Sequence, residues 1–487
     1  MPDSRKAPDF LTAGQLFRLS ALWLGLQFFW TTQQLAVMPG FAKHFAEIEF
    51  GAGHVGWYYG LLKSCGAVVV MAVQLTIGFI SDHAHSKMGR RRPFILYGTL
   101  SGCLAILFFL FAPGYWWLFL AYMLIEATIN VASVPFQSLL PDLVPEKQHS
   151  QAGASMGFLH LSGNLLAVLS LAGVAFAFGD DLFAGYRGIF GWLYPAFLVA
   201  TMLIVVLSVD ETGWARHAAV KIEGAFREVA ILPGTVVRFA KTAPTLLGSI
   251  IADYRKIELR SQSNLMFLWA SRFLIYLGYV SFSSWIYFYA HYNLDGEEWL
   301  RSLGVAEEKI PGFSSMVFPA LLLVFILGGL AGNRASVPLS LRLGKKWVIA
   351  AGLVVGGTML VPLILTHSVW VAMASGLAIG AGFFAFVAAD WAFACTLMPK
   401  NKAGSYMGIW DVSTLLPQVI APVIAGRIRD VVFGANLSRL GEAGAWALSN
   451  KWVFASILVW FALGLVVLVW VREQRTGMRP ANPVCNV

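Results

Sequence analysis

The sequence predicts an all-α membrane protein of twelve transmembrane helices, arranged as two six-helix bundles with both termini on the cytoplasmic side. Three observations carry that prediction. Apolar residues make up 58% of the 487 and charged residues only 13%, against the roughly 25% charged that soluble chains carry. The apolar residues gather in runs near the ~20 residues a helix needs to cross hydrocarbon. Basic residues recur between alternate runs, the pattern of cytoplasmic loops.

The first run, 16–39, follows the polar stretch "MPDSRKAPDF" with no small-residue cleavage site after it, and is read as a retained first helix. Runs at 55–80, 94–112, 117–140, 153–177 and 191–209 complete a first set of six. A polar interval follows, then runs at 265–290, 313–333, 346–366, 369–396, 405–426 and 452–471. The expected organisation is a bundle at 1–209, a cytoplasmic linker at 210–263, and a second bundle with a short cytoplasmic tail at 264–487. The linker mixes both signs of charge, as a surface-lying amphipathic helix would, and holds no nucleotide motif.

Charge orients the runs. Arg90, Arg91 and Arg92 place the second loop inside, and Arg342, Lys345, Lys346, Lys400 and Lys402 do the same for two loops of the second half. The alternate loops hold "GDD" at 179–181 and "LDGEEW" at 294–299; the last loop, with Arg439 and Lys451, is a weak exception. The net charge of +9 does not indicate a nucleic-acid partner, because the basic residues are not collected on one domain. The four cysteines are scattered, so neither a disulfide framework nor a metal site is expected.

An internal repeat relates the two sets. "AGASMG" at 152–157 and "AGSYMG" at 403–408 open the fifth and eleventh runs, each after a Leu-x-Pro turn. "GRRRPFILYG" at 89–98 has an echo in "GKKWVIAAG" at 344–352. Parallel six-helix repeats with a site at their midplane interface are a transporter architecture that works by alternating access. Counted from the shared "AG", His160 and Asp411 are equivalent positions that would face one another across a central cavity.

The motifs are more specific than the layout. "GFISDHAHSKMGRRRPF", "GLQFFWTTQQLAVMP" at 25–39, "CGAVVVMAVQ" at 65–74, "EATINVASVPFQSLLPDL" at 126–143 and "GNLL" at 163–166 together resemble the major facilitator superfamily. Within it they are most similar to the sucrose:proton symporters and the glycoside–pentoside–hexuronide:cation symporters. The resemblance covers the N-terminal half; the C-terminal half fits by architecture. It implies that Asp82, Arg90, Arg91 and Arg92 form a latch of the cytoplasmic gate. It also implies that Glu126 stands at the fourth-helix acid that carries the proton. Two departures stand out: Gln137 replaces the arginine of the sucrose symporters, and Lys63 is an additional charge. The second-helix positions that carry paired carboxylates in sodium-coupled relatives hold Val70 and Gln74, which disfavours sodium and leaves the proton.

Physical chemistry supports a special role for charges inside the runs, since each costs ~2.5–3.5 kcal/mol at a helix centre. Glu126 either carries a proton or is held permanently by a partner such as Lys63. Asn130 shares its helix face, and Asn130, Gln137, Asn164, Gln33, Gln34, Trp285, His160 and Asp411 are candidate substrate-binding residues. Trp30 and Tyr289 are weaker ones, and His160 has the alternative of a hydrogen bond between helices. Arg272 is expected to pair with Asp390 or Asp411, either as a structural ion pair on the cavity wall or in a substrate or gating role.

The function expected is proton-coupled symport of a sugar, a glycoside or disaccharide such as sucrose or maltose. The expected partners are that solute, the proton and the lipid bilayer, with no nucleic acid, no cofactor and no metal; the expected state is a monomer in a plasma membrane, a bacterial inner membrane. The alternatives are a proton-coupled transporter or exporter of a non-sugar organic solute, and a polytopic enzyme or receptor. No Ser/His/Asp, metal-ligand or P-loop spacing favours an enzyme.

Overall fold

The computed structural model describes residues 10–83, 88–145, 148–179, 182–209, 263–307, 310, 314–397 and 403–473. All regular structure among them is helical. The expected linker lies outside the described residues except for its last position, and so do Lys400 and Lys402.

The first half opens with α1 (Ala13–Ser20), whose Thr12 and Gln15 form a reciprocal capping box. Then come α2 (Leu22–Thr32), a π-helical turn (Gln33–Val37) and α3 (Met38–Phe50), continuous in backbone. α4 (Val55–His83), α5 (Arg92–Leu110), α6 (Tyr115–Leu143), α7 (His149–Phe178) and α8 (Gly191–Ser208) complete it. The second half comprises α9 (Ser263–Asn293), α10 (Val317–Leu343), α11 (Lys345–Leu365), α12 (Val369–Leu397) and α13 (Ala403–Val469). α13 bends at Gly441, where φ is 70°.

Ten stretches among the described residues are long and apolar enough to cross a membrane. Ala13–Phe50 is not one of them, because the π turn and the junction at Ala21 divide it into helices of 8, 11 and 13 residues. The tenth, Trp410–Val469, is 60 residues long and contains the Gly441 bend. Large apolar side chains such as Leu104, Trp192, Leu207 and Leu341 point outward and exposed, the surface a lipid-facing bundle presents.

Packing follows the repeat. α2 packs on α7 and α8, α4 on α6, and α5 on α6 and α8. In the second half α9 packs on α13, α10 on α12, and α11 on α12 and α13. The two basic turns match in detail. Gly89 and Gly344 have φ of 108° and 97°, the positive region only glycine enters cheaply. The cation just inside each following helix reaches the end of that half's last helix. Arg92 donates to the Val206 carbonyl, and Lys346 Nζ donates to those of Val469 and Val471 at 2.9 and 2.7 Å. Cations at helix C-termini are favourable there. The halves meet through α4 against α13 and α7 against α10, again a symmetric pair of contacts, and through the π turn against α9.

Candidate functional site

The π turn places two amides in the interior, one turn before Met38. π turns leave backbone out of register and recur at functional sites. Gln34 Nε2 lies 2.9 Å from Glu126 Oε1 and 2.9 Å from the Tyr122 hydroxyl, which is in turn 3.2 Å from Gln34 Oε1. Glu126 is 4% exposed. On α4, Gly66 gives this group room, since a methyl there would meet the Tyr122 ring and the Glu126 Cγ. A buried carboxyl contacted by a tyrosine-linked amide can hold either a proton or a charge, because the amide can donate to a carboxylate and accept from an acid.

The pairing of Glu126 with Lys63 that the sequence left open does not form. Among the described residues Lys63 makes no ion pair; its ammonium lies 5.9 Å from the Tyr59 ring centroid. The carboxyl is approached from α4 at Gly66, the turn after Lys63, and its near oxygen is taken by Gln34.

Asn130 is close to Glu126 but turned to its own helix. Its amide donates to the Glu126 backbone carbonyl at 2.8 Å, and its oxygen is 3.4 Å from Gln74 Nε2. Gln137, about two turns further along α6 than Asn130, is exposed. His160 and Asn164 form a separate polar cluster with α2. Gln27 Nε2 lies 2.6 Å from His160 Nε2, and Asn164 Oδ1 accepts from Thr31 at 2.5 Å and Gln27 at 3.5 Å. The interhelical hydrogen bond weighed for His160 is therefore present.

Gln33 differs from its neighbour. It is wholly buried and neither amide atom has a partner; the same holds for the indole nitrogen of Trp285 and the hydroxyl of Ser284 on α9, against which the π turn packs. Unmatched buried polar atoms ask for a ligand or water. Tyr289 does not belong with them, since its hydroxyl donates to the Leu363 carbonyl.

In the second half Arg272 pairs with Asp390, and not with Asp411. Both partners are buried, and the guanidinium lies between the Tyr276 and Trp410 rings, 4.9 and 4.6 Å from their centroids. Asp411 is exposed on α13. It does not face His160 in a shared contact, because His160 is held by α2.

The arginine turn binds within its own half. Arg90 and Arg91 contact Asp142 Oδ2 at 2.6 and 3.1 Å, and Arg91 donates to Ser81 Oγ at 2.6 Å. The Asp82 side chain lies outside the described residues. The start of α5 is thus tied to the ends of α4, α6 and α8.

Sequence reasoning missed Tyr122, Gln27, Thr31 and Asp142, all within or beside runs it quoted. Arg429 and Asp430 also lie beyond the eleventh run, whose expected end is 426. The adjacent opposite charges in "GRIRD" were the available signal. No group of His, Cys, Asp or Glu among the described residues could hold a metal ion.

With this geometry in view, comparison with known proteins is informative. Residues 47–230 match a family model described as MFS/sugar transport protein. The sucrose transport protein SUC4 of Arabidopsis thaliana is 26% identical over 170 residues, 31% of this chain and 32% of that one. The sucrose transport protein SUT5 of Oryza sativa is 35% identical over 83 residues, 17% and 14% of the two chains. The matched segments thus span about a third or less of these relatives' length. Solved structures share the fold along nearly the whole chain. A bacterial homologue of the human lysosomal transporter Spinster, inward-facing and unoccupied, gives a TM-score of 0.63 at 14% identity, covering 95% of this chain and 98% of that one. The peptide transporter POT with sulfate gives 0.63 at 15%, covering 94% of each chain. The nucleoside transporter NupG gives 0.62 at 12%, covering 93% and 98%. The chain resembles transporters of the major facilitator superfamily, sucrose transport proteins among them.

Proposed function

We propose that this protein is a proton-coupled sugar symporter working by alternating access, its solute a glycoside or disaccharide such as sucrose or maltose. The observation that carries the reading is the Gln34–Tyr122–Glu126 group, a buried carboxyl whose neighbouring amide stands at the π-helical turn of the first helix. In this reading Glu126 carries the proton. Gln34 exchanges its bond to Glu126 for one to a sugar hydroxyl, so that proton and sugar occupancy are linked. The unmatched groups of Gln33, Ser284 and Trp285 supply further hydroxyl partners from both halves. The Gln27, His160 and Asn164 cluster extends the polar wall of the first half.

Counting Ala13–Phe50 as one crossing and Trp410–Val469 as two brings the ten stretches to twelve. The basic turns at Arg90–Arg92 and Lys345–Lys346 then lie in the cytoplasm, with both termini. The Arg90–Arg91–Asp142 cluster forms the inner gate's fixed half. The membrane proposed is a bacterial inner membrane, and the working unit a monomer.

The test is uptake of labelled sucrose or maltose into liposomes holding the purified protein, driven by an imposed inward proton gradient. Uptake that collapses with a protonophore supports the reading. Gradient-driven uptake of a nucleoside or peptide, with none of any glycoside, would favour the non-sugar alternative.

A further inference from the structure

Between the two halves, at the end opposite the arginine turn, α4 and α13 touch backbone to backbone. A methyl at Gly56 would run into the Gly426 carbonyl, and one at Gly60 into that of Pro422. One turn beyond Gly426, Asp430 crosses to the other half. Its Oδ1 accepts from the Gly56 N–H at 2.9 Å and its Oδ2 from the Trp57 N–H at 2.7 Å. These are unsatisfied amides of the first turn of α4, where a carboxylate is favoured by the helix dipole.

Asp430 is in turn held by its neighbour. Arg429 Nη1 lies 2.9 Å from Asp430 Oδ1 and also donates to the Ala52 carbonyl, just before α4. Arg429 is wholly buried, its guanidinium 3.5 Å from the Trp446 ring centroid and 4.1 Å from that of Phe433. Trp446 stacks on Tyr292 of α9, and Lys43 of α3 lies 5.5 Å from that tyrosine's centroid. The charged pair thus ties α4 to both arms of α13, and through Trp446 it adjoins Tyr292 of α9 and, beyond that ring, Lys43 of α3.

We infer that Arg429 and Asp430 form the outer lock of the transport cycle, engaged when the protein is closed to the outside and released when it opens there. The inference rests on the alternating-access reading and its orientation, but not on the identity of the solute. The chemistry suits a lock that must reopen. Each bond between the halves runs from a backbone N–H to the Asp430 carboxylate or from the Arg429 guanidinium to a carbonyl, and water can replace all of them when the helices part. A packed apolar contact has no such exchange partner.

The test places one cysteine at Ser284, buried beneath the lock beside Tyr59, whose hydroxyl donates to the Ser284 carbonyl at 2.7 Å. The native cysteines are replaced by serine, and labelling by a membrane-impermeant maleimide is followed in right-side-out and inside-out vesicles without any solute. Asp430→Asn is expected to raise outside labelling about tenfold, the change that ~1.4 kcal/mol brings, while Glu297→Gln on the exposed short helix Gly296–Ser302 leaves it unchanged. Thermal unfolding of each variant is measured in parallel. If Asp430→Asn does not fold, the neutral pair Arg429→Met with Asp430→Asn is read instead. Labelling at the parent rate in the variant that folds overturns the inference, as does failure of both to fold, which would make the pair a static support. Because no sugar is present, a failed sugar assignment leaves this result intact.

Discussion

The buried pair of Arg272 and Asp390 allows a prediction whose two arms differ in the charge left behind. Replacing Asp390 by Asn leaves a guanidinium that cannot shed its charge, at a residue only 5% exposed. Breaking a buried pair in this way costs about 3–5 kcal/mol, and the Trp410 and Tyr276 faces do not offset it, because they contact the guanidinium in the parent as well. Replacing Arg272 by Met leaves a carboxyl that can instead neutralise itself by taking a proton. The Arg272→Met deficit is therefore expected to be the smaller of the two. The double variant Arg272→Met, Asp390→Leu removes both charges and is expected within ~1–2 kcal/mol of the parent, since apolar replacements of buried pairs are commonly tolerated. The assay is thermal unfolding of purified protein, read as stability relative to the parent. If Asp390→Asn costs less than ~1 kcal/mol, or if the double variant is less stable than both single ones, the pair is not the desolvated interaction described here.

Two further substitutions probe the transport groups. Gln34→Ala removes the amide between Tyr122 and Glu126; a hydrogen bond to a charged group contributes about 1.5–3 kcal/mol, so gradient-driven accumulation should fall at least tenfold while solute-independent proton leak rises in a pH-dye assay. Unaltered accumulation would remove Gln34 from the coupling. Asp142→Asn removes the carboxylate charge beside Arg90 and Arg91 at a site that is 31% exposed, so stability should change by less than ~1 kcal/mol, whereas alkylation of a cysteine placed at Ser81, from the side proposed as cytoplasmic, should quicken. A large loss of stability with unchanged alkylation would mark Asp142 as structural.

The helical architecture was legible because hydrocarbon imposes a length on each run, and "GRRRPF" and "GKKWVI" mark the same turn in both halves. The Arg272–Asp390 pair was half legible: three charges in apolar helices had to find partners, but only packing decides that Asp390 is buried while Asp411 points outward. Glu126 announced itself as a carboxyl in an apolar run, yet its tie to Gln34 depends on a π turn, and no periodicity signals one. Lys63 looked like its counter-ion on composition, but α4 presents Gly66 to the carboxyl. Asp430 was lost for another reason, since a charge-rich end of a helix reads as a loop until the facing backbone of α4 shows what it caps.

The central claim is that proton and sugar move together through Glu126. Moving one charge down 100 mV releases ~2.3 kcal/mol, enough for about 50-fold accumulation. The most direct measurement is the external pH of a lightly buffered suspension of liposomes holding the protein, as sucrose, maltose and simple hexoses are added in turn, for the parent and for Glu126→Gln. Alkalinisation that follows one sugar and is lost in the variant is the result expected. Sugar-dependent alkalinisation of equal size in Glu126→Gln would contradict the claim.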